Sequence, residues 1–235
     1  SLLLRSAWVW VVMGGGLLLI LCLMPVLLPL HRWWRPTLPA AGRLWGWLCL
    51  WAGGVRLERR GLEHLRPEGG PYVLMANHQS LFDIFALLTL PVAFRWTAKR
   101  ELFRYPVFGW CLRLAGAISV DRGDGRRALD LLRRGRRGLR RGESLLVFPE
   151  GTRSDGRLLP FREGGFLLAL RARAPIVPIA LRGGAAILPA GHLLVRPGPL
   201  TMVVEPPVDT RGYSLRNRTE LVQRVRSAIA RHLEA

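Results

Sequence analysis

Apolar and polar positions divide the chain into two regimes. From Ala7 to Leu30 no charged residue interrupts 24 positions dominated by leucine, valine and tryptophan. A second apolar stretch at residues 44–55 is only 12 long. From about residue 56 the pattern changes, and apolar runs of four to six residues alternate with amphipathic segments. The short runs at 72–76, 94–98, 117–120, 144–148, 176–181 and 200–204 read as strands, bounded by glycine, proline and polar clusters. The segments at 81–90, 105–114, 126–141, 164–173 and 218–233 read as helices. Leu221, Val222, Val225, Ile229 and Leu233 form the apolar stripe of the last one, and Asn217 with Glu220 reads as its capping box. Pro178 places Val177-Pro178-Ile179 at a strand end or edge. Strands alternating with helices predict an α/β fold, a mostly parallel sheet flanked by helices.

The 24-residue run is long enough to reach across a hydrocarbon core. Arg5 precedes it, as in a signal peptide, but the run is long for a signal core and no cleavage site follows it directly. Pro25 and Pro29 interrupt its regularity. Trp33, Trp34, Trp45, Trp47 and Trp51, beside Arg32, Arg35 and Arg43, suit the headgroup level of a bilayer. The expected organisation is a two-helix membrane anchor over residues 1–55, entering from one side, followed by an α/β domain over 56–235. A straight single span is the alternative. The positive-inside rule would place the basic remainder at the cytoplasmic face of an inner or plasma membrane.

Charge sharpens that picture. The net charge is +19 with a pI near 11.7, and of 35 basic residues only Lys99 is lysine. Arginine suits bidentate contacts with phosphate. Nucleic acid is the usual suspect for such charge, but the long apolar segment favours anionic lipid and argues against nucleic acid. Residues 122–142 hold nine arginines against Asp124 and Asp130. They form a basic helix for lipid headgroups or an acidic carrier surface, with a merely solvated face equally open. Cys22, Cys49 and Cys111 show neither a disulfide framework nor metal spacing, which suits a reducing compartment.

The strands also predict where chemistry collects. In an open α/β sheet, ligands bind outside the carboxyl ends of the strands. Asn77-His78 follows one strand, Lys99-Arg100-Glu101 another, Asp121-Arg122 a third and Pro149-Glu150-Gly151-Thr152-Arg153 a fourth. His78 and Asp83 stand five positions apart around a polar turn. A neutral imidazole there can take a proton, and a nearby carboxylate can fix its tautomer. Because positions five apart diverge by about 140° on a helix, His78 must lie outside the helix to meet Asp83. Ser80 and Asp83 equally fit a helix capping box, and the two uses of Asp83 are compatible. No nucleophile accompanies the pair, so the substrate is expected to bring its own hydroxyl. Gly151 permits close backbone approach, Thr152 offers a hydroxyl and Arg153 a two-pronged donor for phosphate. Glu150 can order Arg153 or bind a substrate hydroxyl. Arg122 and Lys99 can extend an anion clamp, with surface ion pairs to Asp121 and Glu101 as the plainer outcomes. No nucleophile elbow, Walker-type loop, H-E-x-x-H or paired CxxC occurs.

Four blocks in order resemble the lysophosphatidic acid acyltransferases of the glycerolipid acyltransferase group. They are Asn77 to Asp83, Lys99 to Leu102 with Pro106, Gly109 and Gly116 to Arg122, Phe148 to Arg153, and Val177-Pro178-Ile179. The resemblance implies transfer of a fatty acyl group from acyl-CoA or acyl carrier protein to the sn-2 hydroxyl of lysophosphatidic acid, giving phosphatidic acid. It implies His78 as general base, Asp83 as its orienting partner, and Arg122, Glu150, Gly151, Thr152 and Arg153, helped by Lys99, around the phosphate. It implies no metal, no further cofactor and no acyl-enzyme. The same chemistry on another lyso-lipid or on glycerol-3-phosphate, or a non-enzymatic basic protein of the membrane surface, are the competing expectations.

Overall fold

The computed structural model describes residues 2–33, 37–120 and 125–233. Two helices come first, α1 (Leu2–Trp33) and α2 (Thr37–Gly53). Strand β1 (Val55–Arg60) follows, then β2 (Val73–Ala76), α3 (Leu81–Leu88) and β3 (Phe94–Lys99). The chain continues through α4 (Phe108–Leu114), β4 (Ile118–Val120), α5 (Gly125–Arg140) and β5 (Ser144–Val147). It closes with α6 (Gly164–Ala172), β6 (Ile176–Arg182), the single turn α7 (Gly184–Ile187), β7 (Gly198–Val204) and α8 (Arg218–Ala230).

The strands form one seven-stranded sheet in the order β1-β7-β6-β2-β5-β3-β4. Every pairing is parallel except β6 with β7, which is antiparallel. Parallel strands covered on both faces read as continuous apolar runs, and this is why β2, β5 and β6 are legible in the sequence. Alternate residues divide between two cores. Leu74, Ala76, Leu146, Val177 and Ile179 face α1, α2 and α3. Val73, Met75, Leu145, Val147 and Ile176 face α5, α6 and α8.

Strand β1 was not foreseen. Its sequence, Val-Arg-Leu-Glu-Arg-Arg, offers only Val55 and Leu57 at alternating positions. It is an edge strand paired with β7 alone, so its other residues remain at the surface. Pro178 is the converse case. It lies within β6, between β2 and β7, rather than at a strand end. Pairing with β7 begins only at Ile179, and Pro178 itself merely accepts a hydrogen bond from the Glu205 amide. The missing proline N–H therefore points past the end of β7 and costs no ladder bond.

The N-terminal helices belong to the same core as α3. Val9, Met13, Cys49 and Leu50 are buried with Phe82 and Phe85. Gly46 permits this closeness, since a Cβ there would sit 2.9 Å from the Phe85 carbonyl oxygen. The Val195 amide donates to Ser6 Oγ at 2.9 Å, and Trp10 Nε1 donates to the Leu193 carbonyl at 2.9 Å. A two-helix membrane anchor was expected, and two helices form, but among the described residues one membrane-length apolar helix is found rather than two. It is α1, over Leu2–Leu27. Pro25 and Pro29 lie inside it. It exposes Leu3, Trp8, Val11, Leu19 and Val26. At the other end of the chain Asn217 does not cap α8 through its side chain. Its Oδ1 accepts instead from the Ser214 amide and hydroxyl, at 2.6 and 2.9 Å.

Candidate active site

Strands β2, β5 and β3 are neighbours and parallel, so their carboxyl ends open onto one rim. The rim carries Asn77 to Ser80 after β2, Phe148 to Ser154 after β5, and Lys99 at the end of β3. Arg122, after β4, lies outside the described residues.

The turn after β2 is built before it is used. Both ends of the Asn77 carboxamide pair with the Leu181 backbone, Nδ2 to the carbonyl at 2.8 Å and Oδ1 from the amide at 2.7 Å. Ser80 caps α3 by accepting from the Phe82 amide, and its hydroxyl donates to the Leu188 carbonyl at 2.9 Å. Asp83 completes the capping box by accepting from the Ser80 amide. The cap fixes where α3 begins and thereby aims Asp83 back into the turn.

Asp83 is wholly buried, which is costly for a carboxylate unless donors surround it. Three do, and all converge on Oδ2: the Gln79 amide at 2.6 Å, the Ser80 amide at 2.7 Å and His78 Nδ1 at 2.9 Å. Charge-assisted bonds of this kind contribute about 1.5–3 kcal/mol each. Oδ1 has no hydrogen-bond partner among the described residues and faces Gly184, where a Cβ would lie 2.5 Å away. Since Asp83 accepts at Nδ1, the proton of a neutral His78 resides there and the lone pair is on Nε2. The ring stacks on Phe148 with centroids 4.1 Å apart and planes at 15°. The His78 side chain is only 14% exposed, so an otherwise enclosed imidazole keeps an opening toward solvent.

The segment after β5 holds the histidine from the other side. Glu150 is buried, and it neither orders Arg153 nor faces solvent. Its Oε1 accepts from the His78 amide at 2.8 Å and its Oε2 from the Leu159 amide at 2.8 Å. Burial pushes its carboxyl above the usual range, the two backbone amides opposing that shift. The Ser154 amide donates to the His78 carbonyl at 2.8 Å. His78 is thus tied at its amide, its carbonyl and Nδ1. Gly151 takes φ 73°, a left-handed conformation that favours glycine, and turns the chain outward after Glu150. Thr152 and Arg153 follow as exposed residues, and Arg153 makes no hydrogen bond or ion pair with another described residue. Lys99 sits 3.7 Å from Glu101, the plainer of its two expected uses.

The structure therefore brings His78 and Asp83 into contact, puts Glu150 behind them as a strut, and leaves Thr152 and Arg153 projecting from the adjoining loop. Asn77, Ser154 and the stacking face of Phe148 were missed as positioning groups. Their partners lie 70 or more residues away along the chain, although Phe148 and Ser154 lie in or beside a segment already singled out. Among the described residues no three His, Cys, Asp or Glu side chains cluster as metal ligands.

Comparison with known proteins identifies the family and the fold. A family model described as acyltransferase matches residues 56–182. A chloroplastic 1-acyl-sn-glycerol-3-phosphate acyltransferase of Brassica napus is 33% identical over 211 residues, covering 87% of this chain and 61% of its own. The 1-acyl-sn-glycerol-3-phosphate acyltransferase of Pseudomonas aeruginosa is 37% identical over 186 residues, covering 78% and 71%. The chain thus spans less than two thirds of the plant relative's length. The crystal structure of the 1-acyl-sn-glycerophosphate (LPA) acyltransferase PlsC from Thermotoga maritima superposes with a TM-score of 0.82 at 27% identity, over 99% of this chain and 94% of that one. The family model spans more than half of the chain, with the His78–Asp83 pair inside the matched segment, and together with these relatives it makes this chain a member of the acyltransferase family.

Proposed function

We propose that the chain transfers a fatty acyl group from a thioester to the sn-2 hydroxyl of 1-acyl-sn-glycerol-3-phosphate, giving phosphatidic acid. The observation that carries this reading is the His78–Asp83 contact of 2.9 Å, which leaves Nε2 as the free base at the opening. The acceptor hydroxyl gives its proton to Nε2 while its oxygen attacks the thioester carbonyl. The carbon–sulfur bond then breaks, and the departing thiolate takes the proton back from the imidazolium. Asp83 stabilises the imidazolium between these steps. The acceptor supplies the nucleophile, so no acyl-enzyme forms and no metal or further cofactor is required. Arg153, Thr152 and the Gly151 backbone hold the acceptor phosphate, and Lys99 reaches it by leaving Glu101. Glu150 serves the substrate indirectly, by fixing the His78 backbone. The named relatives support the choice of acceptor.

The test is acceptor-dependent thiol release in detergent micelles containing lysophosphatidic acid and a long-chain acyl thioester. His78→Ala is expected to abolish turnover, with the fold retained. Arg153→Ala is expected to raise the acceptor KM about tenfold with kcat little changed, the loss of one exposed charge-assisted contact. Near-wild-type turnover by His78→Ala would remove the mechanism.

A further inference from the structure

A dense run of exposed positive charge lies away from the rim. Residues 132–142 contain six arginines and no carboxylate. Five of them, Arg133, Arg136, Arg137, Arg140 and Arg141, join Arg171 of α6 and Leu132 around a groove of about 550 Å³. None of the six arginines lining the groove makes a hydrogen bond or ion pair with another described residue. The inner side of α5 is small: Gly135 and Gly138 are buried, and a Cβ at Gly135 would come within 2.6 Å of Leu168. The helix is thus pressed onto α6 while its cations stand outward. Cations in a last helical turn offset the helix dipole, which accounts for Arg137, Arg140 and Arg171. It does not account for Arg133, Arg136 or Arg141. Like charges one turn apart destabilise a helix, so an anionic partner would relieve a strain that the fold itself leaves standing.

Position narrows the partner. Helix α5 leaves the rim after β4 and returns to the opposite edge, where β5 begins. At 1.5 Å per residue, Arg133 to Arg140 lie about 12 to 22 Å along the helix from Gly125. The groove is therefore separate from the phosphate site beside His78. It also lies on the sheet face opposite α1 and α2. A bilayer taking up the apolar surface of those helices contacts the other layer. Arg133, Arg137 and Arg140 recur at single-turn intervals along one side of α5, a spacing matched by carboxylates one turn apart on a second helix.

We propose that the α5–α6 groove docks an acidic helix of the protein that carries the acyl thioester, placing that carrier beside the sheet while its acyl-bearing arm reaches the rim. This rests on the acyl-transfer reading above. The experiment compares the same fatty acyl group presented on an acidic acyl carrier protein and on coenzyme A, for wild type and for Arg133→Gln/Arg137→Gln/Arg140→Gln. Three exposed ion pairs lost together are expected to raise the KM for the carrier-bound donor about tenfold, while the KM for acyl-CoA stays within about twofold. The wild-type KM for the carrier is expected to rise with salt, and that of the variant to respond less. An equal loss with both donors, no loss with the carrier, or wild type that accepts acyl-CoA alone would each overturn the docking site. So would a variant that loses binding to anionic vesicles or DNA while its use of the carrier is intact. Failure of wild type with both donors strikes instead at the acyl-transfer reading.

Discussion

At the scale of single residues the site is a matter of who occupies whose hydrogen-bonding capacity. His78 was legible as a candidate base because an imidazole and a carboxylate flank a turn, and the structure brings the two into contact. Glu150 was legible as important, but a sequence cannot tell a carboxylate that meets a ligand from one that meets the backbone. Both of its oxygens are taken by amides, one of them that of His78. In Glu150→Gln one acceptor becomes a donor facing an amide N–H, and the displaced turn is expected to lower kcat about tenfold to a hundredfold. Glu150 also predicts a pH dependence. Its native carboxyl holds a proton more tightly than the ordinary value of 4.5. Above that value the folded state binds more protons than the unfolded state, so stability falls as pH rises until the native carboxyl has also ionised. Melting temperatures of wild type minus Glu150→Gln should therefore decline from pH 4.5 upward. A flat or rising difference would mean the buried carboxyl is not what titrates.

At the scale of elements the strongly apolar strands and amphipathic helices were foreseen, and the departures have local causes. Strand β1 escaped notice because an edge strand buries only one side of a charged sequence. Asn217 and Glu220 have the spacing of a cap, yet the Asn217 side chain turns to Ser214. Helices α1 and α2 read as lipid-facing from composition alone, whereas part of each faces protein. Gly46 marks that contact, with the Phe85 oxygen and Leu88 Cβ at 2.9 and 3.0 Å from a would-be Cβ. Gly46→Val is expected to destabilise the fold by about 1–3 kcal/mol through overpacking. Urea denaturation of detergent-solubilised protein would measure this, and an unchanged midpoint would show that α2 docks loosely on α3.

At the scale of the whole molecule, the apolar reach of α1 and the excess of arginine make separable demands. Burial of leucine and tryptophan in hydrocarbon is insensitive to salt, whereas headgroup attraction is screened by it. The full chain should therefore remain with membranes after washing at high salt and come off only with detergent; release by salt would show that charge, not α1, holds it there. What the sequence by itself determined was the set of local quantities: the period of the apolar runs, hence an α/β sheet; the unbroken length of α1; the His78–Asp83 spacing; and the order of the four blocks. These follow from residues near one another in the chain. The tertiary structure alone decided the antiparallel placement of β7, the docking of α2 on α3, the use of Glu150 as a strut and the clustering of six arginines about one groove. Each depends on contacts between distant segments, such as Asn77 with Leu181 or Arg171 with α5, whose pairing no local pattern encodes.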